Sequence, residues 1–172
     1  MATTYTLIAS STVGAGGASS IDFTSIPSTY TDLVLKISAR STNNANADVL
    51  SIALSINGVT TNRTYRRLYG GGSSVGSDNG TSANVGTFGG GSNVTANTFA
   101  SDEWYFPNYA GSNNKSFSAD NVSETNASTT NQLDFVAGLW SSSSAITSLS
   151  IYGSSGNLAQ YTSAYLYGIK NS

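Results

Sequence analysis

The chain contains neither cysteine nor histidine. Without cysteine there is no disulfide framework and no thiolate chemistry. Without histidine the usual general base near neutral pH is missing, along with the commonest metal ligand. Charge is also scarce. Only 9% of residues are Asp, Glu, Lys or Arg, against about 25% in an ordinary globular protein. The seven basic residues are scattered, whereas a phosphate-binding surface needs them clustered; nucleic acid is excluded as an expected partner. No run approaches the roughly 18 apolar residues that cross a bilayer as a helix, so no membrane partner is expected. The N-terminal "MATTYTLIASSTVGAGG" lacks the basic start and long apolar core of a signal peptide. A soluble product made in a cytoplasm is the expectation.

The chemistry that remains is thin. Acid–base catalysis needs two positioned carboxylates or a carboxylate with another base. Asp102 and Glu103 are adjacent, so on a strand they point to opposite faces. Calcium needs dense carboxylates at alternate loop positions. "SDNGT" (77–81) and "ADNVSE" (119–124) carry one or two acids each. "STVGAGGASS" lacks the Lys-Ser/Thr of a phosphate-binding loop. No enzyme activity, cofactor or metal is expected.

What the chain does have is period two. In "DLVLKISAR", Leu33, Leu35, Ile37 and Ala39 share one face, and Val34, Lys36, Ser38 and Arg40 the other. "VLSIALSI" puts Leu50, Ile52, Leu54 and Ile56 inward and Ser51, Ala53 and Ser55 outward, then stops at Asn57-Gly58, a tight-turn dipeptide. Further strands are read in "YTLIAS", "SIDFTSI", "TYRRLY", "TFASDEWYF", "KSFSADNV", "QLDFVAGLW", "AITSLSIYG" and "SAYLYGIK". Leu133, Phe135, Ala137 and Leu139 alternate again. No segment keeps a 3.6-residue period for ten residues. Short strands between Gly, Asn and Ser turns predict an all-β fold, an antiparallel β-sandwich of jelly-roll type. A length of 172 residues fits one domain, residues 1–172.

One stretch resists this reading. "YGGGSSVGSDNGTSANVGTFGGGSN" (69–93) holds nine of the eighteen glycines and one charged side chain, Asp78. It is read as a long Gly/Ser-rich loop, residues 70–96, extending from the sandwich. Ordering it costs roughly 1–2 kcal/mol per residue of backbone entropy, so a neighbouring subunit or a larger surface is expected to hold it. Beside it lies the local basic-aromatic cluster "NRTYRRLYG". Arg and Tyr are favoured at binding hot spots. The candidate interface residues are therefore Arg63, Tyr65, Arg66, Arg67 and Tyr69, with the loop's apolar anchors Val75, Val85 and Phe88. Trp104, Tyr105, Phe106 and Trp140 are read as core rather than as sugar platforms.

The two ends of the chain carry a resemblance. "IDFTSIPSTYTDLVLKISARS" (21–41) and "GLWSSSSAITSLSIYGSSGNLAQYTSAYLYGIKNS" (138–172) resemble small β-sandwich virion proteins of tailed bacteriophages, especially phages of cyanobacteria. The likeness covers residues 5–60 and 132–170; the glycine-rich middle is the variable part of such proteins. It implies a virion structural protein made in the host bacterial cytoplasm. The first implied role is a capsid decoration (cement) protein, a homotrimer bound to the major capsid protein on the outer head surface. The alternative is a tail-fibre or tail-tip module recognising host glycans. Within the motif, Pro27 ends a strand, and Tyr30 and Asp32 are expected to anchor the corner before Leu33. No catalytic residue is implied.

Overall fold

The computed structural model describes residues 4–43, 50–71, 73–82, 87–89, 91, 94–124 and 132–170. The ten segments with strand-like alternation all form strands, and the described residues contain no helix. Twelve strands are present: β1 (Tyr5–Thr12), β2 (Ser20–Phe23), β3 (Asp32–Ala39), β4 (Leu50–Ile56), β5 (Arg63–Gly71), β6 (Ser74–Gly80), β7 (Thr87–Gly89), β8 (Ala100–Phe106), β9 (Lys115–Ser123), β10 (Gln132–Trp140), β11 (Leu149–Gly153) and β12 (Ser163–Ile169). They make two antiparallel sheets. The large one runs β1-β12-β3-β8-β9-β10-β5-β6, and the small one β2-β11-β4-β7. The fold is an antiparallel β-sandwich.

The buried apolar side chains form one cluster. Trp104, Phe106 and Phe117 supply its aromatic centre, with Trp104 and Phe117 stacked at 5.5 Å between ring centroids. Leu54, Ile56, Leu149 and Ile151 come from the small sheet. Side chains of this size each contribute about 1.5–3 kcal/mol when removed from water. Two faces expected to be polar are also buried. Val34 is covered on the outer face between its cross-strand neighbours Tyr105 and Tyr167. Ala53 and Ser55 are buried on the second face of β4; both are small enough to sit beneath their neighbours.

Polar groups lock the corners. Asn57 and Gly58 both adopt positive φ, 52° and 73°, as the tightest hairpin turns require. The turn carries the chain from the small sheet into the large one. The Asn57 Oδ1 accepts from the Thr147 and Ser148 amides at 2.8 and 3.0 Å. At the corner before β3, the Asp32 carboxylate accepts from the Asn108 amide and the Tyr105 hydroxyl, both at 2.8 Å. The Tyr109 hydroxyl donates to the Pro27 carbonyl. Lys115, buried at the start of β9, donates to the carbonyls of Gly111 and Asn113 and so ties the 111–114 turn.

The glycine-rich stretch is not a plain loop. Residues 74–80 form β6, which pairs with β5 from Gly71–Ser74 to Tyr65–Gly80 and becomes an edge of the large sheet. Residues 87–89 form β7, which pairs with β4 at an edge of the small sheet. Beyond them, the Arg40 guanidinium at the end of β3 donates to the carbonyls of Val94, Thr95 and Thr98 at 2.8–3.1 Å. Partners within the same chain thus take up much of the stretch's backbone. The expectation of a segment held from outside is corrected for these residues.

Aromatic rings lie on glycines at several cross-strand positions. The tightest is Gly138 of β10, directly opposite Phe117 of β9. A methyl group there would stand 2.0 Å from the Phe117 ring. Gly138→Ala is expected to push Phe117 out of its stack with Trp104 and to cost about 1–3 kcal/mol, the usual range for overpacking. Urea denaturation measures the loss, and Phe117→Leu in the same chain should recover part of it.

Candidate interaction surface

Two arrangements on the large sheet stand out: a zipped hairpin and an apolar outer face. In the hairpin β5–β6, the residues facing the sandwich interior run Tyr65, Arg67, Tyr69 on β5. Directly opposite stand Gly80, Asp78 and Gly76 on β6. A Cβ on Gly76 would meet the Tyr69 ring at 2.5 Å, and one on Gly80 the Tyr65 ring at 2.9 Å. Each tyrosine therefore lies flat across the glycine opposite it, supplying the apolar contact that the glycine lacks. Between them Arg67 clamps Asp78 through two guanidinium nitrogens; its Nε–Oδ1 distance is 3.0 Å. The Arg67 guanidinium also lies 4.9 Å from the centre of the Tyr69 ring, within cation–π range.

Three candidate residues therefore serve the fold. Tyr65, Arg67 and Tyr69 hold β6 on the inward side of the hairpin. Arg63 is buried and does not reach the surface. Its Nη1 donates to the Leu54 carbonyl at 2.6 Å and its Nη2 to the Val59 carbonyl at 2.8 Å, joining the two sheets, and burial lowers its pKa. The reading of Arg63 as an interface residue is corrected: strand parity turns it, with Tyr65, Arg67 and Tyr69, away from the outer face. Arg66 and Val75 remain outside. Val85 lies outside the described residues; Phe88 contributes its backbone to β7, and its side chain is likewise outside the description.

Around Val75 the outer face gathers residues that the sequence did not assign to a surface. Val122, Leu133, Gly70 and Val75 stand side by side across β9, β10, β5 and β6. In the next row stand Asp120, Phe135, Leu68 and Ser77. Leu68, Val75, Val122, Leu133 and Phe135 are 62, 90, 51, 58 and 57% exposed. Between them they present on the order of 500 Å² of apolar surface, the upper range for the largest patch on a monomer and a common mark of a contact site. An open groove of about 600 Å³ runs among Leu68, Val75, Leu133 and Phe135.

β10 explains the patch. Its alternating apolar set, Leu133, Phe135, Ala137 and Leu139, faces outward. Asp134, Val136, Gly138 and Trp140 face in. Trp140 and Val136 are buried in the core, and Gly138 leaves room for Phe117. Side chains on a strand repeat every two residues, so a slip of one would expose Trp140 in order to bury Phe135. The register that buries the tryptophan wins, and it carries Asp134 inward. The signal was in the sequence: Trp140 has the opposite parity to Leu133 and Phe135.

Asp134 bears the cost of this register. Its Oδ1 accepts from Gln132 at 3.2 Å and lies 3.9 Å from Arg67 Nε, while its Oδ2 is buried without a hydrogen bond among the described residues. Burial raises its pKa to about 6; Arg67 and Gln132 lower it, and Asp78 raises it further. Elsewhere the acids are spread out. Asp102 faces in and Glu103 out, and Glu103 pairs with Lys36 at 2.6 Å. Among the described residues no group of three His, Cys, Asp or Glu side chains is placed to hold a metal. No protein-family model, curated protein or solved structure matches the chain.

The raised pKa of Asp134 fixes a pH dependence. An unfolded Asp titrates near 3.9, so the folded state holds this proton more tightly. The stability it contributes is complete below about pH 4 and is lost as pH rises through 6. Asp134→Asn should flatten stability between pH 4 and 7. At pH 8 the variant should gain on the order of 2 kcal/mol over the parent, with little gain at pH 4. Chemical denaturation across that range is the measurement.

Proposed function

We propose that the chain is a structural protein of a tailed-bacteriophage virion, a capsid decoration protein that binds the outer surface of the assembled head. The observation that carries this reading is the outward apolar face of β10 and its neighbours: Phe135 and Leu133 stand in solvent while Asp134 is buried. Such a face is complete only against protein. The likeness of the two chain ends to small virion proteins supplies the kind of assembly.

Its mechanism is mass action. A protein that binds only the assembled shell stabilises that shell by RT ln(1 + [L]/Kd), about 2.7 kcal/mol per site at a hundredfold excess over Kd. Repeated over a lattice, modest contacts add up without any chemical step. The alternative role, a tail module that recognises glycans, draws on a different part of the same sheet. Tyr5 and Tyr165 are exposed near its β1 edge, with Tyr5 packed edge-on against Tyr167 at 6.2 Å, and tyrosine rings suit the faces of sugars.

Heads that lack the protein provide the test. Purified chain should bind them saturably, leave unassembled capsid subunits alone, and raise the temperature at which the heads release DNA. Phe135→Asp, which alters the outer face and not the core, should reduce the bound copies at least tenfold. Failure to bind heads, combined with binding to host-surface glycans, would replace this reading with the tail-module one.

A further inference from the structure

The outer face carries a charge arrangement that points to its occupant. Asp120 of β9 and Arg66 of β5 flank the apolar patch on opposite sides of β10. Asp120 stands beside Phe135, and Arg66 beside Ala137. Two strands and two residues separate them, about 12 Å at ordinary strand spacings. Both are exposed, and neither forms an ion pair among the described residues. Among the described residues the Arg66 Nη1 donates to its neighbouring Tyr65 carbonyl, at 3.2 Å. Asp120 also stands directly opposite Glu103, whose charge is already taken by Lys36. Like charges directly opposite on neighbouring strands are destabilising, so Asp120 gains from a cation brought by a partner.

We infer that the partner on this face is a second copy of the chain, packed sheet to sheet about a two-fold axis. The midpoint between Asp120 and Arg66 falls over β10, between Phe135 and Ala137. The axis through that point that lies in the plane of the contact, perpendicular to the line joining the two residues, exchanges the two charges: Asp120 of each copy meets Arg66 of the other. The same rotation brings Leu68 and Phe135, which lie on either side of the axis, against Phe135 and Leu68 of the other copy, and sets Leu133 over Ser77. A two-fold contact must be self-complementary, and an acid and a base on opposite sides of an axis that runs between the apolar side chains of Phe135 and Leu68 meet the condition. The area fits as well. An apolar core on the order of 500 Å² sits inside the footprint of about 800 Å² per partner typical of a stable interface.

The inference rests on reading this face as a contact surface and gives its occupant as a second copy, so that it is the assembled dimer, and not this face of a single chain, that meets the head. Analytical ultracentrifugation of the purified chain tests it without any virion component. The parent should sediment as a dimer at about 100 µM, far above the Kd that a good interface of this size gives. Arg66→Asp and Asp120→Arg should each weaken the dimer about tenfold or more, and the two together should restore it. Phe135→Asp should leave a monomer, with an unchanged circular-dichroism spectrum showing that it still folds. A monomeric parent, a trimer, or a dimer indifferent to the charge swap overturns the two-fold pairing. Binding to heads is scored separately: a monomer that still binds heads sinks the pairing alone, and a dimer that ignores heads sinks the decoration reading alone.

Discussion

Trp140 sets the register of β10, and much else follows from that choice. With the tryptophan buried, Val136 joins the core and Gly138 gives Phe117 its place against Trp104. The same parity drives Asp134 inward and Leu133 and Phe135 outward. Burying an aspartate while exposing a phenylalanine runs against transfer free energy on both counts. A strand that does this conflicts locally with the fold it belongs to. Such conflicts persist where a surface is kept for something besides stability. The outer apolar face is therefore a consequence of packing on the inner one.

The width of that face depends on a second device. β6 contributes Val75 to the patch, yet a strand reading Ser-Val-Gly-Ser-Asp-Asn-Gly has little intrinsic reason to form. It forms because β5 supplies what it lacks. Tyr69 and Tyr65 cover Gly76 and Gly80, and Arg67 clamps Asp78 between them. One side of β5 builds the hairpin, and the other presents Leu68 and Arg66 to the exterior. The basic-aromatic cluster is thus divided by parity into a structural half and a surface half. A strand edge with neither lysine nor proline remains at β6, a feature that soluble monomers usually suppress.

The sandwich was legible because most strands obey a simple rule, apolar in and polar out. β3 and β4 announce themselves by alternation, and Asn57-Gly58 announces its turn. The candidate surface was harder to read for a reason intrinsic to β10: alternation gives the period of a strand but not which face is buried. In β10 both faces carry apolar residues, and only the bulk of Trp140 decides between them. The hairpin was hidden in another way. Tyr-x-Arg-x-Tyr before the turn and Gly-x-Asp-x-Gly after it are complementary when folded back, but composition alone sees a glycine-rich linker. Arg63 could not be separated from Arg66 until parity was fixed, and its two carbonyl partners come from residues that sequence spacing does not bring together.

The absence of cysteine makes the β10 register directly measurable. Single cysteines placed at Leu133, Asp134, Phe135 and Val136 can be labelled with a maleimide in dilute solution, where copies of the chain are apart. The account predicts fast labelling at 133 and 135 and strong protection at 134 and 136. Protection at 133 and 135 with labelling at 134 and 136 would place the apolar set of β10 in the core, and the contact face would not exist.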